Sequence, residues 1–189
     1  MKKKSRNEHI SVAKKTSRSF VIKIIVITFF VSLIFAFFTS VTLNYVNTII
    51  SILIVLFFII VGILSDIIGI ACATADEKIF HSMAARGVKS AKIAVKLIKN
   101  AEKVSNISSD MIGDISGIIS GSASAVLTLQ LTDYISNNYL KIAVPFLVTA
   151  AVASITVGGK AIGKIISING SNSIIYRFSA FLALFGVKD

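Results

Sequence analysis

The chain is predicted to be an all-α integral membrane protein with four transmembrane helices, at 20–38, 49–73, 104–131 and 141–157. A cytoplasmic amphipathic hairpin at 76–100 and a C-terminal interfacial helix at 171–185 complete the expected fold. Three observations predict this class. Of 189 residues, 54% are hydrophobic, and mean hydropathy is +0.84. Only 15% are charged, against about 25% in a soluble domain. The charges are also clustered: of 20 Lys and Arg, seven precede Phe20, seven lie between Asp76 and Lys103, and four follow Gly159. That is the positive-inside pattern of a multispanning chain, so the net charge of +11 does not imply a nucleic-acid surface. The partners expected are the lipid bilayer and its anionic headgroups, and no nucleic acid.

Residues 1–19 form a basic leader with Lys2, Lys3, Lys4, Arg6, Lys14, Lys15 and Arg18. The apolar run that follows ends in Phe35, Phe37 and Phe38. It is longer than a signal-peptide core and lacks small residues at its far end, so a retained span fits better. Residues 39–48 make an uncharged outer turn. The second span, 49–73, exceeds the roughly 20 residues needed for a crossing, and its late half carries Gly62, Ser65, Asp66, Gly69 and Ala73 at helical spacing.

From 76 to 103 apolar positions (Ile79, Met83, Val88, Ala91, Val95, Ile98) alternate with Lys78, Arg86, Lys89, Lys92, Lys96 and Lys99. This reads as two short amphipathic helices joined at Gly87, lying at the cytoplasmic membrane surface and attracting anionic lipid. The third span, 104–131, is rich in serine. Tyr134 and Tyr139 suit the outer headgroup level. The fourth span has Pro145 near its start, and Gly158 and Gly159 mark its end, where Lys160 and Lys164 return the chain to the cytoplasm. The apolar tail 171–185 is too short for another crossing. Both termini are then cytoplasmic, in a multi-pass protein expected in a bacterial plasma membrane.

The chemistry concentrates between Asp110 and Gly121. On a helix, residues three and four apart share a face, so Asp110, Gly113, Asp114, Gly117, Gly121, Ser124 and Thr128 form one stripe. Its glycines form overlapping small-xxx-small units, which let membrane helices approach closely. A carboxylate at a membrane helix centre costs roughly 2.5–3.5 kcal/mol on insertion scales, so such residues suggest function. The bland alternative places Asp110 and Asp114 at the headgroup level as end-of-helix charges. The site expectation is that Asp66, Asp110 and Asp114, helped by Ser65 and Ser109, bind a cation from the cytoplasm. Three unpaired anions in one dry cavity would be untenable, so without the ion at least one should be protonated or sodium-bound. Cys72 stands alone and offers neither a disulfide nor a thiolate cluster. No paired nucleophile and base falls within a span, so an enzyme is not expected.

The order of these segments resembles the transmembrane domain of the CorB/CorC and cyclin M (CNNM) magnesium transporters. The resemblance rests on Ala75-Asp76-Glu77-Lys78 through Ala85-Arg86-Gly87-Val88-Lys89-Ser90-Ala91, and on Gly159-Lys160-Ala161-Ile162-Gly163-Lys164 up to Arg177-Phe178. It divides the chain into 1–45, a leader with an extra N-terminal span, and 46–189, a CorC/CNNM-like domain without the family's cytoplasmic regulatory domains. The family's Gly-Asn-Asn-x-x-Asn motif falls on Ser109-Asp110-Met111-Ile112-Gly113-Asp114, and its glutamate on Gly69, one turn from Asp66. The resemblance implies transport of a divalent cation, magnesium first, with sodium as a coupling ion. The competing expectation is a non-transporting membrane subunit or scaffold that uses the glycine face for assembly. A homodimer is expected in either case.

Overall fold

The computed structural model describes residues 22–23, 25–39, 41 and 45–185. Among them every regular element is helical, and no strand occurs. The predicted leader, 1–19, lies outside the described residues. The predicted first span lies partly outside them, and its described part includes α1, Ile25–Thr39. Then follow α2 (Thr48–Thr74), α3 (Glu77–Ala85), α4 (Lys89–Lys99), α5 (Ala101–Ser105), a π-helix (Asn106–Gly113), α6 (Asp114–Asp133) and α7 (Asn138–Leu184). Three helices among the described residues are long and apolar enough to cross a membrane: α2, the continuous Ala101–Asp133 rod, and α7.

Local chemistry sets the joints. The Asp76 carboxylate accepts the Lys78 backbone N–H at 2.9 Å and starts α3. Gly87, at φ +83°, turns α3 into α4, a conformation that strains any residue with a Cβ. Lys96 and Lys99 lie in the last turn of α4, where cations complement the helix dipole. The Asn137 side chain accepts the Tyr139 N–H at 2.9 Å and caps α7.

One expectation is corrected at the C-terminal end. The helix of the predicted fourth span does not stop at 157 but continues to a kink at Gly170 (φ −115°, ψ 17°), where a second helix begins, one residue before the predicted start of the interfacial helix at 171. Gly158 and Gly159 do not end it, because helix–helix packing outweighs their low helix propensity, about 1 kcal/mol each. A Cβ at Gly159 would collide with the Ile63 side chain, and one at Gly163 would lie 3.0 Å from Ile67 Cγ1. These glycines form the groove in which α2 lies against α7. Pro145 is accommodated inside the same helix. The part of α7 before the kink, residues 138–169, is about 48 Å long at 1.5 Å per residue, longer than a bilayer's hydrocarbon core of about 30 Å.

The hairpin forms as expected, two short helices joined at Gly87, and part of its apolar face packs on α2 and α7. Phe80, Ala94 and Val95 join Ala71, Cys72 and Ile175 in one buried cluster. The Cys72 thiol donates to the Leu97 carbonyl at 3.2 Å, and the Asp76 N–H donates to Asn172 Oδ1 at 2.8 Å. A second cluster of Val55, Ile59, Ala123, Val126 and Leu127, flanked by Val148 and Val152, lies at the other end of the bundle. α2 and α7 run in the same direction and α6 runs against them. Between the two apolar clusters is a polar layer.

Candidate functional site

The polar layer is built where α2, the π-helix and α7 meet. Asp66 is 18 residues beyond Thr48, about 27 Å along α2 at 1.5 Å per residue, which puts it toward the hairpin end. Its side chain is 14% exposed. Ser109 Oγ donates to Asp66 Oδ1 at 2.8 Å, and the Lys160 ammonium lies 3.2 Å from Asp66 Oδ2. Both oxygens of the carboxylate are therefore engaged, one by a hydroxyl and one by a cation. Lys160 also reaches Asp114 Oδ1 at 3.7 Å, so one ammonium bridges carboxylates from two helices.

The five predicted site residues separate into groups. Asp66, Ser109 and Asp114 come together around Lys160. Ser65 is buried, and its backbone carbonyl accepts from Ser108 Oγ at 2.8 Å, which ties the π-helix to α2. Asp110 stands apart. It is exposed and lines an apolar cleft against α1. Among the described residues no three His, Cys, Asp or Glu side chains converge on one point. The three carboxylates thus do not form a common cage.

The predicted glycine stripe is only partly at the interface. A Cβ on Gly113 would come within 2.9 Å of Asp66 Oδ1, so the absence of a side chain there makes room for the carboxylate. A Cβ on Gly117 or on Gly121 would meet nothing within 4 Å, so both face away from the rest of the described chain. The reason is geometric: a step of four residues overshoots a 3.6-residue turn by about 40°, so a strict i+4 row winds off the contact face. The row that does pack on α2 mixes spacings of three and four and includes Gly113, Ser116, Ser120 and Ala123, all buried. Ser120 and Ser124 donate to carbonyls of their own helix, Gly117 O and Gly121 O, at 3.0 and 2.8 Å. They satisfy themselves and are not ligands.

Two features escape sequence reasoning. The positive-inside pattern places Lys160 at the cytoplasmic return, although an isolated lysine in a long apolar helix is also the natural counter-charge for a carboxylate on a neighbouring helix. The π-helix has no sequence signature here. Such segments occur often at functional sites, and this one carries both Ser108 and Ser109 to α2. Comparison of the chain with protein-family models, curated proteins and solved structures finds no match. The resemblance to the CorB/CorC and cyclin M transporters accordingly rests on the quoted residues alone.

Proposed function

We propose that this chain is an integral membrane protein that moves a cation across the bilayer through the Asp66–Ser109–Asp114 cluster, with Lys160 as a tethered occupant of the cation's place. The observation that carries this reading is the engagement of both Asp66 oxygens, by Ser109 Oγ and the Lys160 ammonium, between three helices. Membrane insertion is supported by the surfaces of the long helices. Ile52, Leu53, Phe57, Ile142, Phe146, Leu147 and Val157 are all exposed, and such a patch would be untenable in water.

With Lys160 charged, two aspartates and one ammonium leave the cluster one negative charge in excess. A dication that displaced the lysine would be neutralised by Asp66 and Asp114. Magnesium suits these hard oxygen donors and would retain several of its own waters. The expelled ammonium would extend toward the cytoplasmic side, so occupancy by ion and by lysine alternate.

Purified protein in liposomes tests this by magnesium uptake. Asp66→Asn is expected to abolish uptake, whereas Lys160→Met, which removes the competitor, is expected to lower the magnesium concentration for half-maximal uptake. Wild-type liposomes no more permeable than empty ones would end the transport reading.

A second reading, a non-transporting subunit or scaffold, is favoured by one observation: Gly117 and Gly121 leave an unfilled groove on α6. A second copy packed there would make the expected homodimer. Gly121→Cys is expected to form a disulfide-linked dimer in oxidised membranes, while Gly69→Cys, on the face occupied by Ser109, is expected not to. Monomer alone from both variants would remove the dimer.

A further inference from the structure

A cavity borders the Lys160 cluster at Asp114, which lies on its wall. It is a cleft of about 930 Å³ between α1 and the Ala101–Asp133 rod, within the range of about 300–1,000 Å³ usual for small-molecule sites. Its walls are apolar, with Phe29 and Leu33 on one side and Met111 and Ile118 on the other. Asp110 lies on the wall of this apolar cleft and, among the described residues, its carboxylate takes part in no hydrogen bond or ion pair. Ser32 also lines the cleft; it is 9% exposed, and its Oγ has no partner among the described residues.

We propose that this cleft binds an amphipathic organic amine, with Asp110 taking the ammonium and Ser32 a further hydrogen bond. The apolar walls take the body of the molecule. Charge decides the head: Asp114 is already shared with Lys160, and Lys103, which also lines the cleft, makes no ion pair with Asp110. Of the two carboxylates on the cleft wall, Asp110 is therefore the one without a described counter-charge beside it, and a single ammonium completes it. Magnesium does not fit, because it demands near-octahedral hard donors and the cleft offers one carboxylate and one hydroxyl. A lipid tail would cover the apolar walls yet bring neither a cation to Asp110 nor a hydrogen bond to Ser32. The site borders the proposed transport cluster at Asp114 but contains neither Asp66 nor Ser109, so the two readings are tested through different residues.

The test uses the full chain in phosphatidylcholine nanodiscs, with 4-phenylbutylamine as probe and the neutral 4-phenyl-1-butanol as control, followed by equilibrium dialysis against empty nanodiscs. Saturable amine binding is expected, with the alcohol and the Asp110→Asn variant each at least about tenfold weaker, since a charge-assisted hydrogen bond contributes about 1.5–3 kcal/mol. Asp66→Asn is expected to bind the amine as wild type does, even where it abolishes magnesium uptake. Failure of either reading is thus visible without the other. Equal binding of amine and alcohol, no saturable binding, or full binding by a monodisperse Asp110→Asn protein would overturn the proposal and leave the cleft to a lipid chain or a second copy.

Discussion

Lys160→Met is expected to destabilise the bundle by about 3 kcal/mol, the low end of the 3–5 kcal/mol seen when one partner of a buried ion pair is removed. The low end applies because Lys160 keeps 29% of its side chain exposed and water reaches it. The loss has a definite origin. Asp66 would remain 14% exposed, held by Ser109 and with no cation to offset its desolvation. Asp114, 67% exposed, would lose little. In a chain of this length each kcal/mol moves the melting midpoint by about 2–4 °C, so a drop of about 6–12 °C is expected in a thermal melt of the detergent-solubilised protein. The double variant Asp66→Asn/Lys160→Met removes both charges and is expected to regain most of the loss, since neutral replacement of a buried pair is often nearly free of cost. Equal melting of Lys160→Met and wild type would reduce the pair to an ordinary surface contact. Uptake separates a structural lock from a transport site: at a transport site Lys160→Met keeps magnesium uptake while the double variant, which lacks the Asp66 carboxylate, loses it despite its restored stability, whereas a structural lock gives no Asp66-dependent uptake in any variant.

The apolar helices are legible in the sequence because they depend only on length and hydropathy, which each segment carries by itself. Gly87 is legible as the joint of the hairpin for a similar reason, since a positive φ is a local demand. Sequence and structure part where the decision is tertiary. Gly158 and Gly159 signal a break in isolation, yet Ile63 packs against Gly159 and the helix continues. Lys96 and Lys99 mark a basic face correctly, but that the opposite face of α4 seals against α2 and α7 depends on how far α7 extends past the level of Thr74, which no local pattern states. Asp66 stands out in the sequence for a sound reason, a carboxylate on a small-residue face. Its partner does not, because charge pairing between helices about 90 residues apart leaves no spacing rule. Asp110 shows the converse. Its i+4 relation to Asp114 suggests a shared site, and both do line the cleft, yet of the two only Asp114 is within reach of Lys160.

Phe80→Ala is expected to release the hairpin while leaving the long helices folded. Phe80 is 1% exposed and is the largest side chain in the cluster that joins α3 to Ala71, Cys72, Ala94, Val95 and Ile175. Truncation of a buried phenylalanine typically costs about 3–5 kcal/mol. A nine-residue helix tied by one capping carboxylate and one such anchor has little else to hold it, so the cost exceeds the stability of the local unit before that of the bundle. Amide exchange across Glu77–Ala85 and Lys89–Lys99 is expected to accelerate at least about tenfold, with trypsin cleavage after Arg86 rising in step. Exchange in the apolar parts of α2 and α7 is expected to stay unchanged. Phe181→Ala is the matched control: that ring is 53% exposed and meets Phe185 in a tilted contact at 4.7 Å, so its loss should shift stability by no more than about 0.5 kcal/mol. The contrast bears on where the hairpin lives. If bilayer headgroups rather than α2 and α7 held its apolar face, Phe80→Ala would leave protection in nanodiscs intact and lower it only in detergent; release in both media is what packing against the protein requires.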